Sequence, residues 1–392
     1  MGPVCKERVY LDHAATTPLS DAALDAMRPY LQDVFGNANG LYREGRDAHA
    51  ALEDARKRVA EAVGARRSSE IVFTSGGTES DNAALIGIAS ACLEGRKGGR
   101  VIISSFEHHA VLECIPALER IGCSVDLIEP GADGFVRPDD LATMLDDDVM
   151  LVSVMYANNE IGTVQPIREL AAASHEVGAR FHTDAVQALG KLRLDLEGSG
   201  VDAASFSAHK AYGPKGVGAL YLRRRTPFRT QMRGGGQEGG RRSGTQNVAG
   251  VVGFAAALDE VTSGLSDESV RERVLRDRLL MELPRISSRI RLTVDPLSGD
   301  GRYLPNLVSF CIEGMESETA LVYLDEAGIA LSGGSACSSR SLEPSHVLLA
   351  IGCERELAFG SLRVSLGRAT TERDIDVLLE KLDDLMHDRT LS

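Results

Sequence analysis

Residues 203–217 read AASFSAHKAYGPKGV. A short apolar run ends in Ser207, Ala208, His209 and Lys210, and a turn rich in glycine and proline follows. If the run is a buried strand, Lys210 stands at its end and not on an open surface. Partial desolvation there lowers an amine's pKa and frees it to attack a carbonyl, as Schiff-base chemistry needs. An exposed loop lysine is the ordinary alternative, and this stretch alone favours it.

Working outward, the same kind of run recurs. EIVFTS, RVIISS, MLVSVMY, ARFHTDA, AASFSA and GALYLR, between about residues 70 and 222, read as strands. ESDNAALIGIASACLE and IRELAAASHEVG between them read as helices. Continuous apolar strands alternating with helices predict an α/β domain with a mainly parallel sheet. Helices near 47–63 and 247–262 are expected to pack on it. After about residue 270 the pattern changes to a helix (VRERVLRDRLLMELPRI), strand-like RIRLTV, LVSFCI and SLRVSL, and helices ESETALVYLDEAG and RDIDVLLEKLDDLMH. That reads as a smaller α+β domain. The expected division is 16–262 for the large domain, and 1–15 with 263–392 for the small one.

The chain has 392 residues, of which 43% are hydrophobic, enough for two packed domains and against disorder. Its 43 basic and 57 acidic residues give a formal charge of −14. General binding to nucleic acid or to an anionic membrane is therefore not expected. No apolar run approaches the ~20 residues of a membrane span, and the first residues lack a signal-peptide apolar region. A cytoplasmic protein is expected. Seven cysteines without a CxxC pair fit neither a disulfide framework nor a zinc site, so reduced thiols and no metal are expected.

Five polar constellations carry candidate chemistry. TSGGTESDN (74–82) follows a strand and opens a helix, a setting for a lone phosphate. The alternative is a capped turn with Thr78 at the N-cap and Asp81 three residues on. In FHTDAVQ (181–187), Asp184 sits at a strand's C-terminal end, where ligands of such sheets bind, or else caps a following helix. SFEHHAVL (105–112) offers His108 and His109 to cap, to pack or to stack on a ring. YANNEIGTVQP (156–166) offers paired asparagines at a pocket edge or in a turn. LSGGSACSSRSLEPSHVL (331–348) sets Cys337 among small polar residues, the surroundings of a reactive thiol and not of a core filler. A phosphate cradle, an acid, a stackable ring and a lysine on one sheet edge together specify pyridoxal 5′-phosphate.

These motifs occur in an order that resembles the cysteine desulfurases of the NifS/IscS type, which are aminotransferase-like enzymes of class V. The match runs from LDHAATTP near Leu11 to SLGRATTERDID near Ile375 and includes SAHKAYGPKG, GGGQE…RRSGTQN, SGGSAC…LEPSHVL and LRVSLGR. The resemblance implies the pyridoxal-phosphate fold of type I. It also implies roles. Lys210 forms the Schiff base, His108 stacks on the pyridine ring and shuttles protons, and Asp184 pairs with the ring nitrogen. Gln187 and Asn159 address the ring's phenolic oxygen and the substrate. Gly77, Thr78, Ser207 and His209 hold the phosphate, and Thr245 reaches the phosphate of a second subunit, implying a homodimer. Arg363 grips the substrate carboxylate with help from Asn37. Cys337 is the nucleophile that becomes a persulfide; the sequence does not say whether it is also a transient iron–sulfur ligand, and no resident metal is expected. Where the family often reads GNPSSxHxxG, this chain has GNANGLYREG (36–45), with Tyr42 in the place of a histidine.

The implied reaction converts L-cysteine to L-alanine and passes sulfur to an acceptor protein, an iron–sulfur scaffold or a tRNA-thiolating enzyme. Two alternatives stand beside it. One is selenocysteine lyase or another class V chemistry, although transamination has no use for a loop cysteine. The other is a sulfur-transfer scaffold without catalysis, against which Lys210, Asp184, Cys337 and Arg363 count together.

Overall fold

The computed structural model describes residues 8–297, 302–334 and 343–388. Its centre is a seven-stranded sheet. In spatial order the strands are Ile71–Thr74, Gly218–Leu222, Ala203–Ser207, Arg180–Asp184, Val149–Ser153, Gly99–Ser104 and Cys123–Ile128. Gly218–Leu222 runs antiparallel to both its neighbours, and the other contacts are parallel. The six expected strands are all present. Their residues are buried on both faces, which is why each reads as an unbroken apolar run. The seventh, Cys123–Ile128, lies at the edge and is buried only at its two ends, with exposed or half-buried positions between them.

Helices cover both faces. Arg43–Ala62 and Val248–Ser263 pack on one side, where Leu52, Val59, Phe254 and Leu258 join Phe181 and Phe206 of the sheet in one core. Gly77–Cys92 covers the other side and packs Leu85 and Ile88 against Val101, Ile103 and Leu220. A second sheet of four strands has the order Ser332–Gly333, Ser361–Ser365, Leu307–Ile312 and Ile290–Leu292, all antiparallel. Helices Leu265–Ile286 and Glu372–His387 close its own core through Leu279, Leu283, Leu378 and Leu382. The short strand Val9–Tyr10 pairs with Ile329–Ala330, after which the chain crosses to the large sheet. That crossing carries Ala14 and Ala15 past Lys210. No single helix among the described residues is long and apolar enough to cross a membrane.

Gly218 is needed where two segments meet. A Cβ there would lie 2.5 Å from the Phe206 carbonyl oxygen and 2.6 Å from the Cα of Gly76. The bare backbone lets the antiparallel strand press the loop before Gly77 into place.

Candidate active site

The C-terminal ends of the parallel strands converge on a cavity of about 400 Å³. Gly77, Thr78, His108, Asn159, Asp184, Gln187, Ser207, His209, Lys210 and Arg363 all line it. Ten of the residues expected at the site are thus brought together from six separate segments.

The floor of one end is the N-terminus of helix Gly77–Cys92. Its N-cap is Gly76, with no side-chain cap, so the alternative of a Thr78 N-cap does not hold. The first-turn N–H groups lack partners within the helix, and the helix dipole adds to their attraction for an anion. Ser207 and His209 stand beside this turn, and His209 Nδ1 lies 3.1 Å from the Thr16 hydroxyl. Burial and the charge of Lys210 push the His209 imidazole down to about 4.

The Nζ of Lys210 donates to the carbonyls of Ala14 (2.5 Å) and Ala15 (2.7 Å). Gln187 Nε2 donates to the same Ala14 carbonyl (2.9 Å), and Lys191 Nζ donates to Gln187 Oε1 (3.1 Å). His108 caps the short helix His109–Leu112, its Nδ1 accepting from Ala110 N–H at 3.1 Å. Burial first, then the nearby charges of Lys210 and His109, lower its pKa to about 4. The ring is therefore neutral at physiological pH with its proton on Nε2, a flat surface suited to stacking. Asp184 does not cap a helix. Its Oδ1 accepts from Val186 N–H at 2.9 Å and makes a local turn. Burial raises its carboxyl above the usual range, against the Val186 hydrogen bond and the Lys210 charge.

Arg363 comes from the small sheet and is 2% exposed. It donates to Asp12 Oδ1 (2.9 Å) and to the Asn159 carbonyl (2.8 Å), while its Nε is buried without a partner. A buried donor in that state costs free energy, while the two clamps fix the guanidinium at the cavity wall.

A model of the class-V aminotransferases matches residues 9–378. The chain belongs to that family. It is 45% identical over 388 residues to the cysteine desulfurase IscS of Dictyoglomus turgidum, covering 99% of this chain and 97% of that one. The solved structure of a NifS-like protein superposes with a TM-score of 0.89 at 37% identity, covering 97% and 99% of the two chains. The structure of SspA in complex with cysteine gives a TM-score of 0.79 at 34% identity, covering 91% of this chain and 98% of that one.

Class-V aminotransferases use pyridoxal phosphate, and the donor set fits that group. The helix N-terminus with Ser207 and His209 suits a phosphate, Lys210 an aldehyde, and Asp184 a protonated ring nitrogen. The Arg363 guanidinium on the cavity wall suits the carboxylate of an amino acid. Two expected residues stand apart. Asn37 and Thr245 are both exposed, and neither lines this cavity. Cys337 lies outside the described residues.

The structure also adds residues that motif reading passed over. Glu160 and His346 line the cavity, as does Asp81, which the sequence offered only as a capping partner, and Asp12 anchors Arg363. Glu107 is fully buried. The Met155 N–H and the Ser104 hydroxyl both donate to its Oε1, and Oε2 has no partner. Burial raises its carboxyl to about 8. Asp12 sits inside LDHAATTP, so the motif held the clue without showing the pairing.

Proposed function

We propose that this class-V aminotransferase is a cysteine desulfurase that converts L-cysteine to L-alanine and carries the sulfur as a persulfide on Cys337. The observation that supports it most is buried Arg363, clamped by Asp12 and Asn159, lining the same cavity as Lys210 and Asp184. A carboxylate grip beside an amine at a phosphate-binding sheet edge fits an α-amino acid substrate.

When bound, pyridoxal phosphate supplies an electrophilic carbon for the substrate amine and an electron-withdrawing ring that acidifies the substrate Cα proton. Gly77, Thr78, Ser207 and His209 would hold the phosphate. Asp184 would accept from the ring nitrogen, and its charge would keep that nitrogen protonated. The neutral His108 ring lines the cavity and would form one wall of the cofactor's place. Gln187 is fixed by Lys191 and Ala14, so that an amide N–H is left for the phenolic oxygen. Arg363 is clamped by Asp12 and Asn159 and orients the substrate carboxylate, a bidentate task that suits guanidinium. Lys210, poised on the Ala14 and Ala15 carbonyls, takes the Cα proton. The Cys337 thiolate attacks the substrate sulfur, the carbon–sulfur bond breaks, and its electron pair returns to the carbon skeleton, which leaves as alanine after proton uptake.

The reading further takes the protein as a cytoplasmic homodimer that hands sulfur to an acceptor protein, an iron–sulfur scaffold or a tRNA-thiolating enzyme. Exposed Thr245 supports the dimer, since it lies outside its own chain's cavity yet belongs to a phosphate-holding motif. Neighbouring Gln246 meets Asn39 at 3.4 Å, beside the exposed Phe35, Leu41 and Tyr42.

The test is product analysis. Purified protein given L-cysteine and a thiol should release alanine and sulfide in equal amounts, and Lys210→Ala should release neither while still folding. Pyruvate or a keto acid in place of alanine would contradict the reading.

A further inference from the structure

Asp81 lines the same cavity as Asp184, yet none of the steps above uses it. It stands in helix Gly77–Cys92, is 1% exposed, and its Oδ1 has no hydrogen-bond partner. Beneath it lies a row of polar side chains between that helix and the sheet. His182 Nδ1 is 2.9 Å from the Ser153 hydroxyl, and its Nε2 is 3.0 Å from the Ser205 hydroxyl and 3.6 Å from Asp81 Oδ1. His182 and Asp184 are two apart on one strand and so share a face. Ser205 lies opposite Asp184, and Ser153 opposite His182, on the flanking strands. Asp184 is thus one of a buried polar group that includes Asp81.

Two carboxylates cannot both ionise cheaply in such a place. Asp184 has the Val186 N–H and the charge of Lys210 to favour its anion. Asp81 has less: burial and the charge of Asp184 push its carboxyl well above the usual range, opposed by the Ser205 hydroxyl. Glu107 adds to the upward push, and Cys114 is the other titratable group beside it. His182 supplies no positive charge, because burial lowers its pKa to about 3.

We propose that Asp81 is a positioning residue for the ring-nitrogen end of the site: it holds a proton, so that Asp184 alone is the carboxylate there, and with His182 and Ser205 it fixes where Asp184 stands. The inference rests on Asp184 facing the ring nitrogen.

Asp81→Asn and Asp81→Ala in the full chain, loaded with pyridoxal phosphate, test it by infrared spectroscopy, cofactor retention and the pH titration of the bound cofactor's absorbance. The expected result has three parts. At neutral pH the wild-type protein shows protonated-carboxyl absorption, and Asp81→Asn removes one component of it while that of Glu107 remains. Asp81→Asn, a neutral isostere, keeps cofactor retention within about threefold and the titration midpoint within about 0.3 pH unit. Asp81→Ala shifts that midpoint by about one unit or more and retains cofactor about tenfold less tightly, the scale of one pKa unit. Carboxyl absorption unchanged by Asp81→Asn overturns the proposal. So does an asparagine variant as impaired as Asp81→Ala, or an alanine variant that matches wild type in both cofactor readouts. Should Asp81→Ala not fold, the asparagine variant and the infrared band decide. A wild-type protein that takes up no pyridoxal phosphate would instead sink the assignment of Asp184, and the band in the cofactor-free protein would still report on Asp81.

Discussion

Lys210 is held by two backbone carbonyls that belong to a segment almost two hundred residues earlier in the chain. Its place at a strand end was legible in AASFSAHK, because a buried apolar run followed by a charged residue marks the edge of a sheet. The same logic identified Asp184, His108, Asn159 and Gly77. It could not reach Asp81, Glu107 or His182, whose importance comes from what packs over them. Glu107 makes the point through pH. Its folded pKa is about 8, above the ordinary glutamate value of 4.5, so the folded state binds more protons than the unfolded state between those pH values. Stability from this group is present in full below about pH 4.5 and is lost as pH rises toward 8. Glu107→Gln removes the titration while keeping the shape. Relative to wild type, its melting temperature should therefore rise between pH 5 and pH 8.5, by an amount equivalent to roughly 2–4 kcal/mol. A difference that stays flat across that range would show that Glu107 does not carry its proton in the fold.

At the scale of elements, the apolar strands announced themselves because burial on both faces demands uninterrupted hydrophobic sequence. Cys123–Ile128 escaped notice because an edge strand tolerates Ser124 and Asp126 between Val125 and Leu127. The two-residue strands are too short to leave any pattern. Gly218 shows how an element far from the chemistry shapes the phosphate end. Its missing side chain allows backbone contact with Gly76 and Phe206. Gly218→Ala must move one of three backbone segments, and a loss of about 2–3 kcal/mol is expected, in the range for overpacking. Cofactor retention should fall about tenfold or more, because the shifted segment includes the loop that leads to Gly77. At Gly216 a side chain would meet nothing, but φ is +78°, so Gly216→Ala should cost only about 1–2 kcal/mol of backbone strain and leave cofactor binding near wild type. Equal effects on cofactor retention would contradict the role given to Gly218.

At the scale of the whole molecule, two sheets meet at one cavity, and each brings half of the chemistry. The large sheet supplies Lys210, Asp184 and the helix N-terminus at Gly77, whereas the small one supplies Arg363. The change of pattern near residue 270 was legible, since the antiparallel strands and long amphipathic helices differ from the alternation before them. The crossing at Ala14 and Ala15 that ties Lys210 to the N-terminal segment was not, because backbone carbonyls leave no mark in sequence. The proposed dimer also belongs to this scale. Leu41 is 91% exposed, next to Tyr42 and close to the segment that carries Thr245. A charge there should prevent a second copy from covering it. Leu41→Asp should sediment as a single chain, keep its melting transition, and lose cofactor that wild type retains. A wild-type protein already monomeric at micromolar concentration would contradict the dimer.

The central claim is that sulfur leaves L-cysteine on Cys337 at the site organised by Lys210 and Arg363. It is tested most directly by a single turnover of L-cysteine without added thiol, followed by mass mapping of every cysteine in the chain. One added sulfur is expected on Cys337 with an equal amount of alanine, and the mark should be absent from Lys210→Ala and from Cys337→Ser. Sulfur found on another cysteine, or alanine and persulfide still formed by Cys337→Ser, would contradict it.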